Sequence, residues 1–178
     1  MATAFTHAFV AAALVPFAPQ AVSRPKLALV LMSVAVMPDL DVIAFPLGVP
    51  YGHPLGHRGL THSLVFAAGV AFLLGWGLFR ELKPLSPAWG RVVSLLFLAC
   101  ASHGVLDACT DAGQGIGFFI PFSDQRLFFP WRPILTSPVD PRSFFRPRGL
   151  QILLNEIQWV WLPVSSVWVS VVLLRRLR

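Results

Sequence analysis

Residues 57–79 read "HRGLTHSLVFAAGVAFLLGWGLF". From Leu64 to Phe79 there is no charged side chain. A helix that crosses the hydrocarbon core of a bilayer needs roughly 17–25 predominantly apolar residues. Ahead of the run stand two imidazoles, His57 and His62, with Arg58 and Gly59 between them. Ionisable groups are costly at membrane depth, and they face the interior of a bundle where they serve a function. The stretch therefore predicts a membrane helix over 61–79 with chemistry at its entrance.

The rest of the chain agrees. Of its 178 residues, 56% are hydrophobic and 12% are charged, and the mean hydropathy is +0.69. An ordinary soluble domain carries about 25% charged residues. The composition predicts an integral membrane protein, and the length fits a single domain over 1–178. The first residues lack a basic region and a small-residue cleavage site, so no cleavable leader is expected. The net charge of +6 raises nucleic acid as a partner. The basic residues are dispersed and the aromatics form no stacking platform, so direct nucleic-acid binding is not expected. Basic loops at the surface of a lipid bilayer are. Cys100 and Cys109 would lie about 13 Å apart on one helix, too far for a disulfide. They read as small buried hydrophobes.

Five apolar segments can be marked, at about 4–22, 27–47, 61–79, 92–110 and 150–174. The third and fifth approach spanning length. The second and fourth meet Asp or His after shorter apolar runs. The predicted fold is all-α: an integral membrane bundle of about five helices, with a long irregular loop over about 111–149. That loop is rich in Gly, Pro, Phe and Arg, and a loop of such length in a compact protein is usually functional.

The rare polar residues fall into register on an up-and-down bundle. His7 opens the first segment, Asp39 and Asp41 close the second, and His57 and His62 open the third. His103, Asp107 and Asp111 close the fourth. All then lie at one membrane face. His103, Asp107 and Asp111 are spaced i, i+4, i+8, so they share one side of a helix. His-x3-Asp is a bidentate metal platform, and imidazole with carboxylate suits zinc, manganese or iron better than magnesium or calcium. A buried His103–Asp107 hydrogen-bonded pair that ties helices together is the alternative, and His53 reads as a loop residue.

The order Thr6-His7, Pro38-Asp39-Leu40-Asp41, His57 to Ser63, His103-x3-Asp107-x2-Thr110-x2-Gly113, Pro121-Phe122 resembles the LexA-regulated, inner-membrane-associated family of metal-dependent hydrolases. The resemblance covers residues 6–122. That family is similar in turn to the zinc-dependent phospholipase C and single-strand nuclease superfamily. The resemblance implies His7, Asp39, His57, His62, His103 and Asp107 as metal ligands, with His62 and His57 alternatives for one position. It leaves Asp41 as ligand, base or support. Asp111 and Glu156 are the candidate extra ligands. No histidine follows His103, so one or two divalent ions, zinc first, are expected rather than three.

On this reading the protein is a membrane-bound, phospholipase-like hydrolase. A metal-activated water attacks an ester or phosphodiester, and Asp39 or Asp41 takes the proton. Arg58, Arg126 and Arg132 would meet the anionic substrate, and Gly59 would let backbone approach the metal. A non-enzymatic membrane protein with a structural or transport metal site is the alternative. Eight basic residues flank one face (Arg24, Lys26, Arg80, Lys83, Arg91, Arg175, Arg176, Arg178) and six the other (Arg58, Arg126, Arg132, Arg142, Arg146, Arg148). The positive-inside rule then predicts a plasma (inner) membrane protein whose His/Asp face opens away from the cytoplasm.

Overall fold

The structure, a computed structural model, describes residues 1–176; Arg178 of the basic tail lies outside them. Helix α1 spans Ala4–Ala12 and α2 Arg24–Val36, α2 running on into a 3₁₀ segment at Met37–Ala44. A 3₁₀ turn at Leu60–His62 precedes α3, Leu64–Leu78. Helix α4 spans Pro87–Ala108, and the short α5 Pro141–Phe144. Helix α6, Pro147–Glu156, passes through a π turn at Ile157–Trp161 into α7, Leu162–Arg176. The described residues are helical or irregular, with two isolated β-bridges (Thr110 with Ile134, Ile116 with Leu127) in place of a sheet.

Local chemistry sets the boundaries. Ser63 caps α3 by accepting from the Phe66 amide at 3.1 Å, and Ser86 caps α4 by accepting from Trp89 at 3.3 Å. Such caps satisfy amides that have no partner within the helix. Pro25, Pro87 and Pro147 sit in the first turns of α2, α4 and α6, where a missing N–H costs nothing. The first segment is shorter than expected. Helix α1 stops at Ala12, and Pro16 lies in the 3₁₀ turn Val15–Phe17. At the end of α2, Pro38 has no amide to donate, and the helix tightens over Met37–Ala44.

Helix α4 is the centre of the bundle and packs against α1, α2 and α3. Its buried face runs Val92, Leu96, Ala99, Cys100, His103, Asp107, the three-and-four spacing of a helical stripe. Leu27, Leu31 and Ala35 of α2 and Ala67 and Ala71 of α3 close against the lower, apolar part. Small residues let α3 and α4 approach closely, which matters in lipid, where apolar burial gives no net drive. Leu29, Leu73, Trp76 and Val167 face outward, as lipid-contacting residues do.

Three helical stretches are long and apolar enough to cross a membrane: Arg24–Ala44, Pro87–Ala108 and Pro147–Leu174. Helix α3 and the stretch Ala4–Phe17 are apolar but shorter. This reverses part of the expectation. The second and fourth segments reach spanning length because their helices continue through the His and Asp residues. The third is the short one, because its first turn is given to His62 and Ser63. The long loop holds α5 and the start of α6, and is otherwise irregular. It folds back over the start of α3: Leu64 donates to the Phe118 carbonyl at 3.0 Å, and Gly117 to the Arg58 carbonyl at 2.9 Å. Both cysteines are free thiols.

Candidate metal centre

The polar end of α4 meets the ends of α2 and α3 in one buried cluster. Asp39, His62, His103 and Asp107 each offer one ligand atom, all within 4.8 Å of one another. The His62 and His103 Nε2 atoms are 3.1 Å apart. Asp39 Oδ1 lies 3.7 Å from His62 Nε2 and 3.3 Å from His103 Nε2. Asp107 Oδ2 lies 3.9 Å and 4.0 Å from the same two nitrogens. A tetrahedron with bonds of about 2.0–2.1 Å has edges of about 3.3–3.4 Å. The four atoms stand close to that spacing, so they could hold a small divalent ion.

Hydrogen bonding leaves the same atoms free. His103 Nδ1 lies 2.7 Å from the Ala35 carbonyl. A carbonyl only accepts, so Nδ1 carries the proton and Nε2 presents a lone pair. His62 Nδ1 lies 3.2 Å from Asp41 Oδ2, a carboxylate, and its Nε2 is likewise a lone pair. Two imidazole nitrogens 3.1 Å apart, beside two carboxylates, form a donor set that a cation among them would satisfy. Both oxygens of Asp39 and Asp107 Oδ2 are buried with no hydrogen-bond partner among the described residues. Unpartnered buried carboxylate oxygens are expensive, and a metal ion would satisfy them.

Asp41 is built differently from Asp39. Its Oδ1 faces His57 Nδ1 at 2.6 Å. Its Oδ2 accepts from the Thr61 hydroxyl at 2.7 Å and the Arg58 amide at 3.2 Å, and faces His62 Nδ1. Asp41 thus holds the ring of His62 rather than offering a free oxygen as a base. His57 shares a neighbouring group with Asp41 and His62 and lies outside the four-atom cluster. His7 is also outside it. Its ring stacks on His103 at 3.7 Å between centroids, and its Nε2 is 3.5 Å from Asp107 Oδ1. Both His7 nitrogens are buried without a hydrogen-bond partner.

Two of the three arginines expected at the substrate, Arg58 and Arg126, are engaged within the fold. Arg58 is 1% exposed. Its Nη1 donates to the Ala112 carbonyl and its Nη2 to Thr110 Oγ1, while Nε lies 3.3 Å from Asp107 Oδ2. Its φ is 63°, a left-handed conformation that costs an L-residue roughly 1–2 kcal/mol. The contacts of its amide with Asp41 and of its carbonyl with Gly117 hold it there. Arg126 donates to the carbonyls of His57, Tyr51 and His53 and clamps the 51–57 loop. Burial lowers the pKa of Arg126. Arg132 is exposed, with its guanidinium 4.7 Å over the Phe128 ring.

Three further expectations change. Asp111 lies beyond the end of α4, exposed, and its Oδ1 accepts from the amide and hydroxyl of Thr136. Burial pushes its pKa up, but those bonds win and lower it. It braces a turn and takes no part in the cluster. Glu156 is buried against Thr3 and Thr6, away from the four ligand atoms. A Cβ on Gly59 would strike the Pro54 carbonyl, so Gly59 serves loop packing rather than approach to a metal. Sequence reasoning did not find the buried contact between Ala2 and Asp107, in which the Ala2 amide donates to Oδ1 at 2.7 Å. A backbone donor leaves no signature in residue type.

A family model described as the YdjM inner membrane protein matches residues 1–177. The chain belongs to the YdjM inner membrane protein family. A curated relative, inner membrane protein YbcI of Escherichia coli (strain K12), is 39% identical over 168 residues, 92% of each chain. No solved structure matches. The YdjM assignment agrees with the inner-membrane localisation read from the sequence. It supports the expected family at that level, without the hydrolase activity or the LexA link.

Proposed function

We propose that this YdjM-family chain is a membrane-embedded metal-dependent hydrolase, with zinc held by Asp39, His62, His103 and Asp107. The observation that carries this reading is the donor set. Two imidazoles with their Nε2 atoms turned to the cluster and two carboxylates that each bring it an oxygen without a hydrogen bond, with no thiolate, resemble hydrolytic zinc sites more than the cysteine-rich structural ones. The substrate class is a membrane-accessible ester or phosphodiester, which rests on the family resemblance stated above. When bound, such an ion supplies a Lewis acid for an ester or phosphoryl oxygen and lowers the pKa of water.

The chain's own residues divide the remaining work. Asp41 and the Ala35 carbonyl orient His62 and His103. His7 Nε2, uncommitted and beside Asp107, is placed to accept a proton, a task that Asp41 cannot perform with both oxygens engaged. Arg58 balances the charge of Asp107, and Arg132, exposed where Arg58 and Arg126 are not, is the one of these three open to an anionic group. The second reading, a structural or transport metal site in a non-enzymatic protein, draws on the burial of all four ligand atoms. A four-coordinate closed site is structural and a site with an open position is catalytic.

Detergent-purified protein loaded with zinc should hydrolyse a generic phosphodiester or a lipid ester above the rate of an Asp39→Ala variant. His7→Gln should retain zinc while losing turnover. Stoichiometric zinc with no hydrolysis of either substrate class would favour the structural reading.

A further inference from the structure

We infer that Glu156, in the C-terminal span, is a positioning residue for the metal centre: it anchors the N-terminal segment so that the Ala2 amide holds Asp107 in its ligating orientation. The inference rests on the metal reading above. Glu156 is fully buried within the apolar stretch Pro147–Leu174. A carboxylate in such a place is retained only with partners. Its Oε1 accepts from the Thr3 amide at 2.6 Å. Its Oε2 accepts from the Thr3 hydroxyl at 2.5 Å and the Thr6 hydroxyl at 2.7 Å. These donors belong to Thr3, the N-cap of α1, and to Thr6 in its first turn. Amides there lack helical partners, and the helix dipole favours an anion. Helix α1 has no acidic residue of its own in that turn. Glu156 fills the role from another helix.

The π turn explains how one helix reaches this point twice. Glu156 and Trp161 are five residues apart, and Trp161 Nε1 also donates to Thr6 Oγ1, at 2.7 Å. In an α-helix, residues five apart point well away from each other. In a π turn, with its i to i+5 hydrogen bonds, they come close to alignment. The turn at Ile157–Trp161 thus brings both side chains onto the start of α1.

The grip is passed to the centre within one residue. Ala2, next to Thr3, donates its amide to Asp107 Oδ1 at 2.7 Å. With Oδ1 engaged, Oδ2 is the oxygen left to face His62 and His103. The segment has little room to move. Ala2 is fully buried against Ile134 and Val160, and the Met1 carbonyl accepts from the Ser137 amide at 2.9 Å. Loss of the Glu156 carboxylate would free Thr3 and with it the donor that sets Asp107.

The test uses the full chain in detergent, with Glu156→Gln, Glu156→Ala and Thr3→Val. Zinc affinity is measured by competition with a chelator. The cobalt(II)-loaded protein is examined for its ligand-field absorption, which reports ligand geometry. Thermal unfolding of the metal-free protein is followed in parallel. Glu156→Ala should bind zinc about 10- to 100-fold more weakly, as is typical when a group supporting a metal ligand is lost. Its cobalt bands should shift. Should Glu156→Ala fail to fold, Glu156→Gln and Thr3→Val, which nearly keep volume, carry the same expectation at smaller size. Wild-type zinc affinity and cobalt spectrum in the folded variants, even with lowered thermal stability, would reduce Glu156 to a packing role and overturn the inference. A parent protein that binds neither zinc nor cobalt would remove the metal reading itself and the inference with it.

Discussion

At Asp41 four groups converge on two carboxylate oxygens: His57, the Thr61 hydroxyl, the Arg58 amide and His62. At Asp39, two residues earlier, neither oxygen has a hydrogen bond among the described residues, and Oδ1 faces His62 and His103. In "PDLD" the two aspartates look equivalent. The 3₁₀ geometry of Met37–Ala44 and the folding of the 57–63 loop tell them apart, and neither shows as a pattern of residue types. Asp41→Asn should therefore keep the ligands but weaken zinc binding about 10- to 100-fold, whereas Asp39→Asn removes a ligand. Competition titration checks both, and wild-type affinity in Asp41→Asn would exclude the supporting role. Gly113 gives a second prediction. Its φ is +106°, and a Cβ there would land on Arg58 Nη1. Gly113→Ala should lower stability by about 1–3 kcal/mol, read as a lower unfolding temperature in detergent. An unchanged transition would mean that the Arg58 cradle is not under constraint.

Helix α4 was the most legible element. Its apolar stripe and its His103–Asp107 step follow one helical period, and a period survives in sequence whatever packs against it. What exceeded the sequence was its end. Asp111 continues the i+4 rhythm, yet the helix stops at Ala108 and the chain turns through Gly113 and Gly115, both at positive φ. The role of Glu156 was hidden for a different reason: its partners Thr3 and Thr6 lie some 150 residues away in sequence. The α3–α4 contact can be tested by size. A Cβ at Gly75 would meet Val93 Cγ2 at 2.6 Å. Gly75→Leu should destabilise the protein by about 1–3 kcal/mol through overpacking, while Gly69→Leu, with open space around it, should be tolerated. Equal effects in the two variants would argue against close α3–α4 packing there.

In the assembled bundle, Asp39, His62, His103 and Asp107 occupy one end, and the segment 79–86 lies at the other end of α3 and α4. The two ends differ in basic content, and this sets the expected orientation. The positive-inside rule places the 79–86 side in the cytoplasm and the centre toward the outside. Single cysteines at Ser123 and at Pro84, with Cys100 and Cys109 replaced by alanine, report it in intact cells. An impermeant thiol reagent should label position 123 and spare position 84. The reverse would turn the centre toward the cytoplasm.

The most direct measurement is the metal content of the purified chain. Elemental analysis of the wild-type protein should give at least about one equivalent of a divalent transition metal, zinc foremost. His103→Ala and Asp107→Ala, folded and membrane-inserted, should each lose most of it, since each removes one of only four ligands. Equal metal content in the wild-type protein and both variants, or none in any of them, would contradict the account.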